Sequence, residues 1–509
     1  MLRWLAVCLW LSLLIHYCEV DGEQLLKKPT STHLSILLVT VPYPGHLIPV
    51  TALGEELARR GHNVTLSTTV LRGSNLLSSI INQTGFHFWS AGDDFFTAEQ
   101  FSSSFKKLKT SWDSMQQLHT VFGEFQRRIF QLLDTPALRS FDIVIYDGPI
   151  FGTPSVAWKW DIPVIALWPS LLHSPFDLPP WPFPMFGTGF SDDLTFYQRL
   201  VVAVQRSVLK VVAMVMAPQH VEYNASLLTV LTAPGHYVPM IVGSVIGFEF
   251  PRSLSPLTHY VGPILSQRAQ DLPLDMEKWL NEKGIRSVVY VSMGSTGYLT
   301  RDMAQALMDG IAMANYSVLW SLRKSEQHIL QYLNIDNERV YISSWVPQVA
   351  VLKHPSISLA VLHGGLGGLQ EALSCGVPVL AITPGFNEQS ENVIRVQHFK
   401  YGETLPPQEV TAASVLEKLR TIDSEVYRTS VSKVQLIYKR AGGAPRAAEL
   451  IEFYSEVGYD HLVPAYARYN WSWVQYYCAD VYIILTSTAG LLSWLVYRSL
   501  YRLFKTQQK

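Results

Sequence analysis

Residues 34–70, LSILLVTVPYPGHLIPVTALGEELARRGHNVTLSTTV, decide the fold. The run begins with a continuous apolar stretch (34–41), which is typical of a strand buried on both faces of a parallel sheet. Pro49 then favours a helix start and Gly61 a helix stop, and a second apolar strand follows over 62–70. A strand, a helix and a second strand at this spacing form the first unit of a doubly wound α/β sheet.

The same alternation continues along the chain. Apolar runs predict further strands at 141–146, 163–167, 287–295, 317–322, 339–345, 358–365 and 377–384. A Pro-containing linker over 251–275 separates two such series, and a helix is predicted over 301–314. We therefore predict an α/β protein with two facing Rossmann-like domains, 23–250 and 276–445, and a ligand cleft at the carboxyl ends of their strands.

Composition excludes several classes of protein. Among 509 residues, 40 Lys+Arg against 41 Asp+Glu give a net charge of −1, which argues against a nucleic-acid binder. With 48% hydrophobic residues the chain can bury a large core, which argues against disorder. The cysteines are too few for a disulfide scaffold or a Cys-rich zinc site, and they are Cys8, Cys18, Cys375 and Cys478.

The two ends of the chain predict a membrane protein. Residues 1–22 have the charged, apolar, then polar order of a secretory signal peptide. Residues 481–497 contain no charge and would form a helix of about 25 Å, the low end of a membrane span. Basic residues cluster in the tail 498–509, so the positive-inside rule predicts a type I protein with a lumenal body.

Five glycosylation sequons agree with a lumenal body: Asn63, Asn82, Asn224, Asn315 and Asn470. Asn63 is expected to be too enclosed for a glycan, because it lies at the start of a predicted strand. Residues 446–480 are expected to form a return helix and a juxtamembrane segment.

A nucleotide-diphosphate site is predicted between Trp345 and Asn392. His363 ends a buried strand, and the glycines after it open a helix, where backbone N–H groups and the helix dipole favour a phosphate. Glu371, one turn further, can accept both hydroxyls of a ribose, and Trp345 offers a flat face for a base. Each residue alone is as easily structural as functional, whereas their joint spacing is not.

A general base is predicted in the first half. His46 is expected just past the first strand, in a loop that faces the cleft, and Asp147 just past the strand 141–146. Both strand ends point to the same edge of a doubly wound sheet, so the two side chains could meet. A histidine suits proton abstraction at neutral pH, and Asp147 would hold its tautomer.

The chain resembles the UDP-glycosyltransferases, the family that includes animal UDP-glucuronosyltransferases. The resemblance rests on the stretch 345–392 with its WVPQ, HGGLGGLQE and PGFNEQSEN segments, on PGHLIP (44–49), on MGS (293–295) and on the C-terminal apolar segment. It implies the two-domain GT-B architecture, with the acceptor bound by the N-terminal domain and the donor by the C-terminal domain. It also implies an endoplasmic reticulum membrane location.

The resemblance assigns roles to individual positions. It implies that Trp345 stacks on uracil, that Gln348 contacts the nucleoside, and that Glu371 binds the ribose. The diphosphate would contact Ser295, His363 and Gly368, and Gly365 would also belong to the UDP-sugar site. The acidic–Gln pair that holds the sugar hydroxyls would be Glu388 and Gln389, with Glu where the family usually has Asp. His46 and Asp147 match the family's catalytic dyad.

No metal and no cofactor beyond the UDP-sugar co-substrate are predicted, because the sequence lacks the Asp-x-Asp motif of many metal-dependent sugar-nucleotide enzymes. A single displacement by the acceptor would invert the anomeric centre. Two aromatic groups, 175–190 and Phe95, Phe96 and Phe101, predict an apolar pocket for a small lipophilic acceptor.

Alternatives stay open at this point. The sugar could be glucuronate, for whose carboxylate Arg323 and Lys159 are candidate partners, or glucose, which needs none. A non-catalytic UDP-sugar-binding homologue that partners an active glycosyltransferase would keep Trp345, Gln348 and Glu371 but not the base. An epimerase of similar architecture would have little use for an anchor. Membrane lipid would contact the C-terminal helix, and a homo-oligomer remains open.

Overall fold

The structure is a computed structural model that describes residues 33–97, 100, 125–148, 150, 153–171, 190–205, 238–266, 268, 271–295, 297–383, 387–463, 473–476 and 478–506. The predicted signal peptide and the aromatic stretch 175–189 lie outside these residues.

The first half contains a sheet of seven strands. They are β1 (Ser35–Val39), β2 (Asn63–Arg72), β3 (His87–Thr97), β4 (Ile143–Asp147), β5 (Val164–Trp168), β6 (Met240–Val242) and β7 (Thr258–Tyr260). All neighbouring strands are parallel, in the spatial order β3-β2-β1-β4-β5-β6-β7.

The second half contains a sheet of six strands. They are β8 (Val288–Ser292), β9 (Ser317–Ser321), β10 (Val340–Ser343), β11 (Ile357–Leu362), β12 (Val379–Ala381) and β13 (Gly402–Thr404). These strands are also parallel, in the order β10-β9-β8-β11-β12-β13. The two sheets confirm the prediction of two Rossmann-like units.

Helices cover the sheets and connect the strands. Those with defined bounds are α1 (Pro44–Arg59), α2 (Leu76–Thr84), α3 (Thr153–Lys159), α4 (Leu274–Asn281), α5 (Arg301–Met313), α6 (Gln348–Leu352), α7 (Leu366–Ser374), α8 (Asn387–His398), α9 (Ala412–Ile422), α10 (Glu425–Ala441), α11 (Gly443–Val457), α12 (Trp473–Tyr476) and α13 (Ala479–Thr506).

Helix α1 begins earlier than the sequence suggested. Pro44, not Pro49, occupies the first helical position, where a missing N–H costs nothing, and Pro49 lies inside the helix. The helix packs closely on the sheet, because a Cβ at Gly54 would lie 2.8 Å from Leu38 Cδ1 and 2.9 Å from the Phe86 ring. The early start places His46 in the first helical turn rather than in a loop.

Each sheet has a point at which its strand order reverses. In the first sheet this point lies between β1 and β4, and in the second between β8 and β11. Chain segments that leave two such neighbouring strands run to opposite sides and open a crevice at the carboxyl edge of the sheet. The residues that follow these four strands are therefore the ones that the fold brings to a ligand site.

The segment predicted as a linker contains regular structure. Thr258–Tyr260 forms β7 of the first sheet, so this sheet extends beyond the predicted domain end at 250. Helix α11 then returns to pack on α1. The Glu452 carboxylate of α11 contacts two side chains just beyond the end of α1, that of Arg60 at 2.8 Å and that of His62 at 3.0 Å.

The C-terminal residues from Asp460 onward belong to a separate compact unit. Within α13, Ala479–Arg502 is long and apolar enough to cross a membrane, and none of its window is buried. It contains the predicted span 481–497.

Candidate active site

His46 and Asp147 meet at the reversal point of the first sheet. His46 lies in the first turn of α1, directly after β1, and Asp147 is the last residue of β4. Their side chains approach to 2.8 Å between Nδ1 and Oδ2, and Asp147 is completely buried. The side chain of His46 keeps 21% of its surface exposed, so part of the side chain remains accessible to solvent.

The environment of this pair favours the protonated imidazole. Burial lowers the pKa of His46, but the charge and hydrogen bond of Asp147 and the charge of Glu388 outweigh burial, and the net pKa is raised. The buried Thr40 hydroxyl also donates to Asp147 Oδ2 at 3.1 Å. Asp147 is thus held from two sides, and it fixes the ring of His46.

His363 occupies the reversal point of the second sheet. It follows β11, and glycine backbone surrounds its ring: a Cβ at Gly294 would lie 2.3 Å from His363 Cε1, and one at Gly365 would lie 2.5 Å from Nε2. Glycine at positions 294 and 365 lets the backbone after β8 and the backbone before α7 pack closely against the imidazole. Gly294 also has a positive φ of 58°, which favours glycine.

The imidazole of His363 is neutral at physiological pH. Burial and the nearby charge of Arg323 lower its pKa to about 4. Its buried Nδ1 atom has no hydrogen-bond partner within the described residues. A buried ring nitrogen without a partner marks a place where a ligand atom can complete the hydrogen bond.

Helix α7 begins beside His363. Gly365 is its N-cap, and Gly367 and Gly368 lie in its first turn. A Cβ at Gly367 would contact nothing within 4 Å, and Gly367 is exposed. No side chain at Gly367 therefore covers the start of α7, where the sequence predicts that an anion binds.

Glu371 and Gln348 form a linked pair behind this helix start. Gln348 Nε2 donates to Glu371 Oε2, and the buried Tyr290 hydroxyl donates to Gln348 Oε1 at 2.8 Å. Burial raises the pKa of Glu371 to about 7, although the bond from Gln348 opposes this rise. The carboxyl group therefore titrates near neutrality.

Trp345 and Ser295 are the exposed members of the predicted donor site. Trp345 follows β10 and keeps 61% of its surface exposed, which is high for the largest apolar side chain. Ser295 lies exposed in the loop after β8. An exposed indole is free to stack on a planar ligand.

Glu388 and Gln389 lie in the first turn of α8, and Glu388 lies close to the first half of the chain. The backbone of Leu171, which follows β5, hydrogen-bonds the Glu388 carboxylate, whose pKa burial raises while His46 opposes the rise. Gln389 Oε1 accepts from Thr383 at 3.2 Å. Since Glu388 also raises the pKa of His46, the second half lies within electrostatic reach of His46.

A second polar contact joins the halves close to this place. The buried Gln370 of α7 donates to the backbone oxygen of Gly243, directly after β6, at 2.6 Å. Two contacts near the carboxyl edges of the sheets therefore join the two halves.

Three groups important to the site were not predicted from the sequence. Thr40 supports Asp147, Tyr290 holds Gln348, and the buried Asn392 donates to the backbone oxygen of Gly364 at 3.0 Å. Asn392 lies in the segment 345–392, from which the donor site was predicted. No sequence motif surrounds Thr40 or Tyr290, which act through contacts between strands and helices.

The two candidate partners of a sugar carboxylate already bond to groups of the protein. Lys159 is bound to Asp134 at 2.7 Å, and Arg323 donates to the backbone oxygens of Ser295 and Gly297. The side chains of Phe95, Phe96 and Phe101 and residues 175–189 lie outside the described part, so the acceptor pocket stays a prediction. Among the described residues no group of three His, Cys, Asp or Glu side chains is arranged for a metal ion. The metal-independent reaction stays a prediction.

The comparisons with known proteins agree with this architecture. The profile of the family described as "UDP-glucoronosyl and UDP-glucosyl transferase" matches residues 36–507. UDP-glucuronosyltransferase 3A2 of Mus musculus is 24% identical over 490 residues, which cover 90% of this chain and 91% of the relative. UDP-glucuronosyltransferase 2B17 of Homo sapiens is also 24% identical, and the match covers 97% of this chain and 96% of the relative.

Solved structures share the fold. The calicheamicin glycosyltransferase CalG4 superposes with a TM-score of 0.58 at 22% identity, covering 83% of this chain and 98% of that one. A UDP-glucosyltransferase from Polygonum tinctorium gives a TM-score of 0.59 at 18% identity, covering 84% of this chain and 100% of that one. The chain therefore belongs to the UDP-glucuronosyl and UDP-glucosyl transferase family and is a UDP-glycosyltransferase with the GT-B fold.

Proposed function

We propose that this enzyme transfers a hexosyl group, glucuronic acid or glucose, from a UDP-sugar to the hydroxyl of a small lipophilic acceptor, with inversion at the anomeric carbon and without a metal ion. The donor lies against the second half of the chain and the acceptor against the first.

The uridine end of the donor is bound by Trp345, Gln348 and Glu371. The exposed indole stacks on uracil, and Gln348 contacts the nucleoside. The Glu371 carboxylate accepts the ribose hydroxyls. The exposure of Trp345 and the buried pairing of Gln348 with Glu371 support these roles.

The diphosphate lies at the start of α7. Backbone N–H groups from Gly365 to Gly368, the Ser295 loop and the neutral His363 donate hydrogen bonds to it. These groups stabilise the negative charge that develops on the departing UDP. The unpartnered Nδ1 of His363 supports this placement, because the tautomer that carries its proton on Nδ1 can donate to a phosphate oxygen.

The sugar lies between Glu388 and Gln389 of α8 and the base of the first half. Glu388 is one methylene longer than the Asp usual in this family, so its carboxylate reaches further toward His46. Hydrogen bonds from the sugar hydroxyls to these two side chains orient the anomeric carbon toward the acceptor.

His46 is the general base. Its Nε2 takes the proton of the acceptor hydroxyl while the acceptor oxygen bonds to the anomeric carbon and the bond from that carbon to UDP breaks. Asp147 holds Nδ1–H and stabilises the imidazolium that forms. The observation that carries the proposal is this assembled His46–Asp147 pair, which lies within electrostatic reach of Glu388 from the opposite half.

A donor panel tests the proposal. Purified enzyme would be incubated with a generic phenol and, in turn, UDP-glucuronate, UDP-glucose, UDP-galactose and UDP-N-acetylglucosamine, and the product would be examined by mass spectrometry and by the anomeric proton coupling. We expect a β-glycoside from one donor. No glycoside from any donor, or an α-glycoside, would contradict the proposal.

A non-catalytic UDP-sugar-binding homologue that partners an active glycosyltransferase is the second candidate. It would need the donor residues and not a buried acid that holds a histidine. The complete burial of Asp147 beside His46 therefore favours the enzyme.

We also propose that α13 anchors the chain in endoplasmic reticulum lipid, with the body in the lumen. Asn82 and Asn315 are exposed and available for glycosylation. Asn63 was expected to be too enclosed for a glycan, but it is exposed as well, because it is the first residue of β2. A mass shift on deglycosylation of protein from animal cells tests the lumenal placement. An unmodified body would contradict it.

A further inference from the structure

Arg323 lies where β9 leaves the second sheet, at the same edge as the proposed diphosphate site. Its guanidinium donates to the backbone oxygen of Ser295 and, at 2.8 Å, to that of Gly297. Both acceptors belong to the loop that follows β8. One planar side chain therefore joins two carbonyls of this loop and sets the direction of its backbone.

The clamped loop is in contact with His363. A Cβ on Gly297 would lie 2.7 Å from the Cβ of His363, and one on Gly294 would meet the imidazole itself. The position of the loop and the position of the ring are consequently coupled. A change in the loop of even a few tenths of an ångström would be transmitted to His363.

Arg323 also carries charge to this place. Its side chain is partly buried, with 30% of its surface exposed. Oε1 of Glu326 lies 3.5 Å from Nη2 of Arg323. The positive charge opposes protonation of His363, and burial of that ring acts in the same direction. Among the described residues, Arg323 is the charged group that acts on the pKa of His363.

We propose that Arg323 is a positioning residue for the donor diphosphate: it fixes the backbone of Ser295 and of Gly297 against His363 and supplies positive charge that the neutral imidazole does not. This inference rests on the proposed function and extends it to a residue that is not expected to touch the uridine. The positive charge strengthens diphosphate binding, and the two loop bonds keep the backbone N–H groups directed at it.

This role differs from that of a partner for a glucuronate carboxylate. Both terminal nitrogens of the guanidinium already donate to loop carbonyls, and Glu326 lies 3.5 Å from one of them. A carboxylate partner would affect the choice of sugar and leave UDP binding unchanged. A diphosphate-positioning residue would affect UDP itself.

The test compares UDP with uridine by calorimetry at low ionic strength in full-length, detergent-solubilised enzyme. We expect Arg323→Met to weaken UDP binding about tenfold, which corresponds to about 1.4 kcal/mol, and to leave uridine binding unchanged. Arg323→Lys retains the charge but not the planar pair of bonds, and we expect a loss of about threefold. An NMR titration of His363 should move to higher pH in Arg323→Met and not in Arg323→Lys.

Arg339→Met is the matched control. Arg339 also donates to a backbone oxygen, that of Tyr316 at 3.2 Å, but at the opposite edge of the same sheet, where β9 and β10 begin. We expect it to bind UDP as the wild type does. If thermal unfolding shows that Arg323→Met is not folded, the Arg323→Lys comparison carries the test.

The possible outcomes separate the two levels of inference. Wild-type UDP affinity in Arg323→Met, or equal losses for UDP and uridine, would overturn the inference. Loss of UDP-glucuronate turnover alone would also overturn it, since that result would make Arg323 a carboxylate partner. A wild-type enzyme that binds no UDP would instead overturn the proposed function.

Discussion

Asp147 Oδ2 lies 2.8 Å from Nδ1 of His46, across the point at which the strand order of the first sheet reverses. Neither element alone could produce this contact. It requires β1 and β4 to be parallel neighbours, so that the helix after one strand and the last residue of the other meet at a single edge. The pair engages one ring nitrogen of His46, and the other is the one that we propose to act on the acceptor.

Replacement of Asp147 by Asn should shift the pH profile of kcat/KM. Asp147 raises the pKa of His46, so the variant's imidazole loses its proton at lower pH and the acidic limb moves to lower pH. The maximum should fall by about a hundredfold, because the imidazolium formed during transfer is no longer stabilised. Asp142→Asn is the control, since Asp142 binds the Ser35 amide at the opposite edge of the sheet. An acidic limb that moves upward would refute this assignment.

Thr40→Val should lower kcat by a few-fold and leave UDP affinity unchanged. The substitution keeps the shape of the side chain but removes the hydroxyl that donates to Asp147, so the carboxylate gains freedom to turn away from His46. Thr51→Val, which removes a buried hydroxyl bonded only within α1, controls for the loss of a polar group. Steady-state kinetics with saturating donor would measure the effect, and equal kcat in both variants would argue against positioning by Thr40.

Trp345→Ala should weaken UDP binding by about tenfold or more, because base stacking on an aromatic side chain contributes about 1–3 kcal/mol. The melting temperature should stay the same, since the indole is 61% exposed and contributes little to the core. Trp345→Phe should recover part of the affinity. Calorimetry and thermal unfolding give both numbers, and a large fall in melting temperature with intact binding would assign Trp345 to the core instead.

Uridine binding should weaken as the pH falls from 8 to 6. The pKa of Glu371 is raised to about 7, so its carboxylate, the better acceptor for ribose hydroxyls, predominates only above that pH. Uridine is chosen over UDP because it has no phosphate that titrates in this range. In Glu371→Gln the affinity should be lower at pH 8 and independent of pH. The same pH dependence in that variant would exclude Glu371 as its source.

Continuous apolar sequence made the central strands of both sheets predictable. β1, β4 and β8 are continuous apolar runs, and a central position in a parallel sheet imposes this pattern directly. β3 was not predicted, because HFWSAGDDFFT mixes acidic and aromatic residues, as an edge strand with an exposed face can. β13 has three residues, GET, too few for any periodicity.

The candidate site was predictable where chemistry and spacing coincide, and not where only tertiary contacts decide. His363, the glycines of α7 and Glu371 lie close in sequence, so one pattern contains them. Arg323 was considered only as a carboxylate partner, because its bonds to the β8 loop depend on the pairing of β8 with β9. Thr40 is one of many threonines, and only the fold places it beside Asp147.

The most direct test of the account compares UDP binding and transfer in His46→Ala. If His46 acts on the acceptor while the second half binds the donor, UDP affinity should stay within about twofold of wild type and the transfer rate should fall by at least about a hundredfold. His87→Ala, an exposed histidine that starts β3 at the far edge of the same sheet, should retain both. Transfer by His46→Ala at a rate close to that of the wild type would contradict the account.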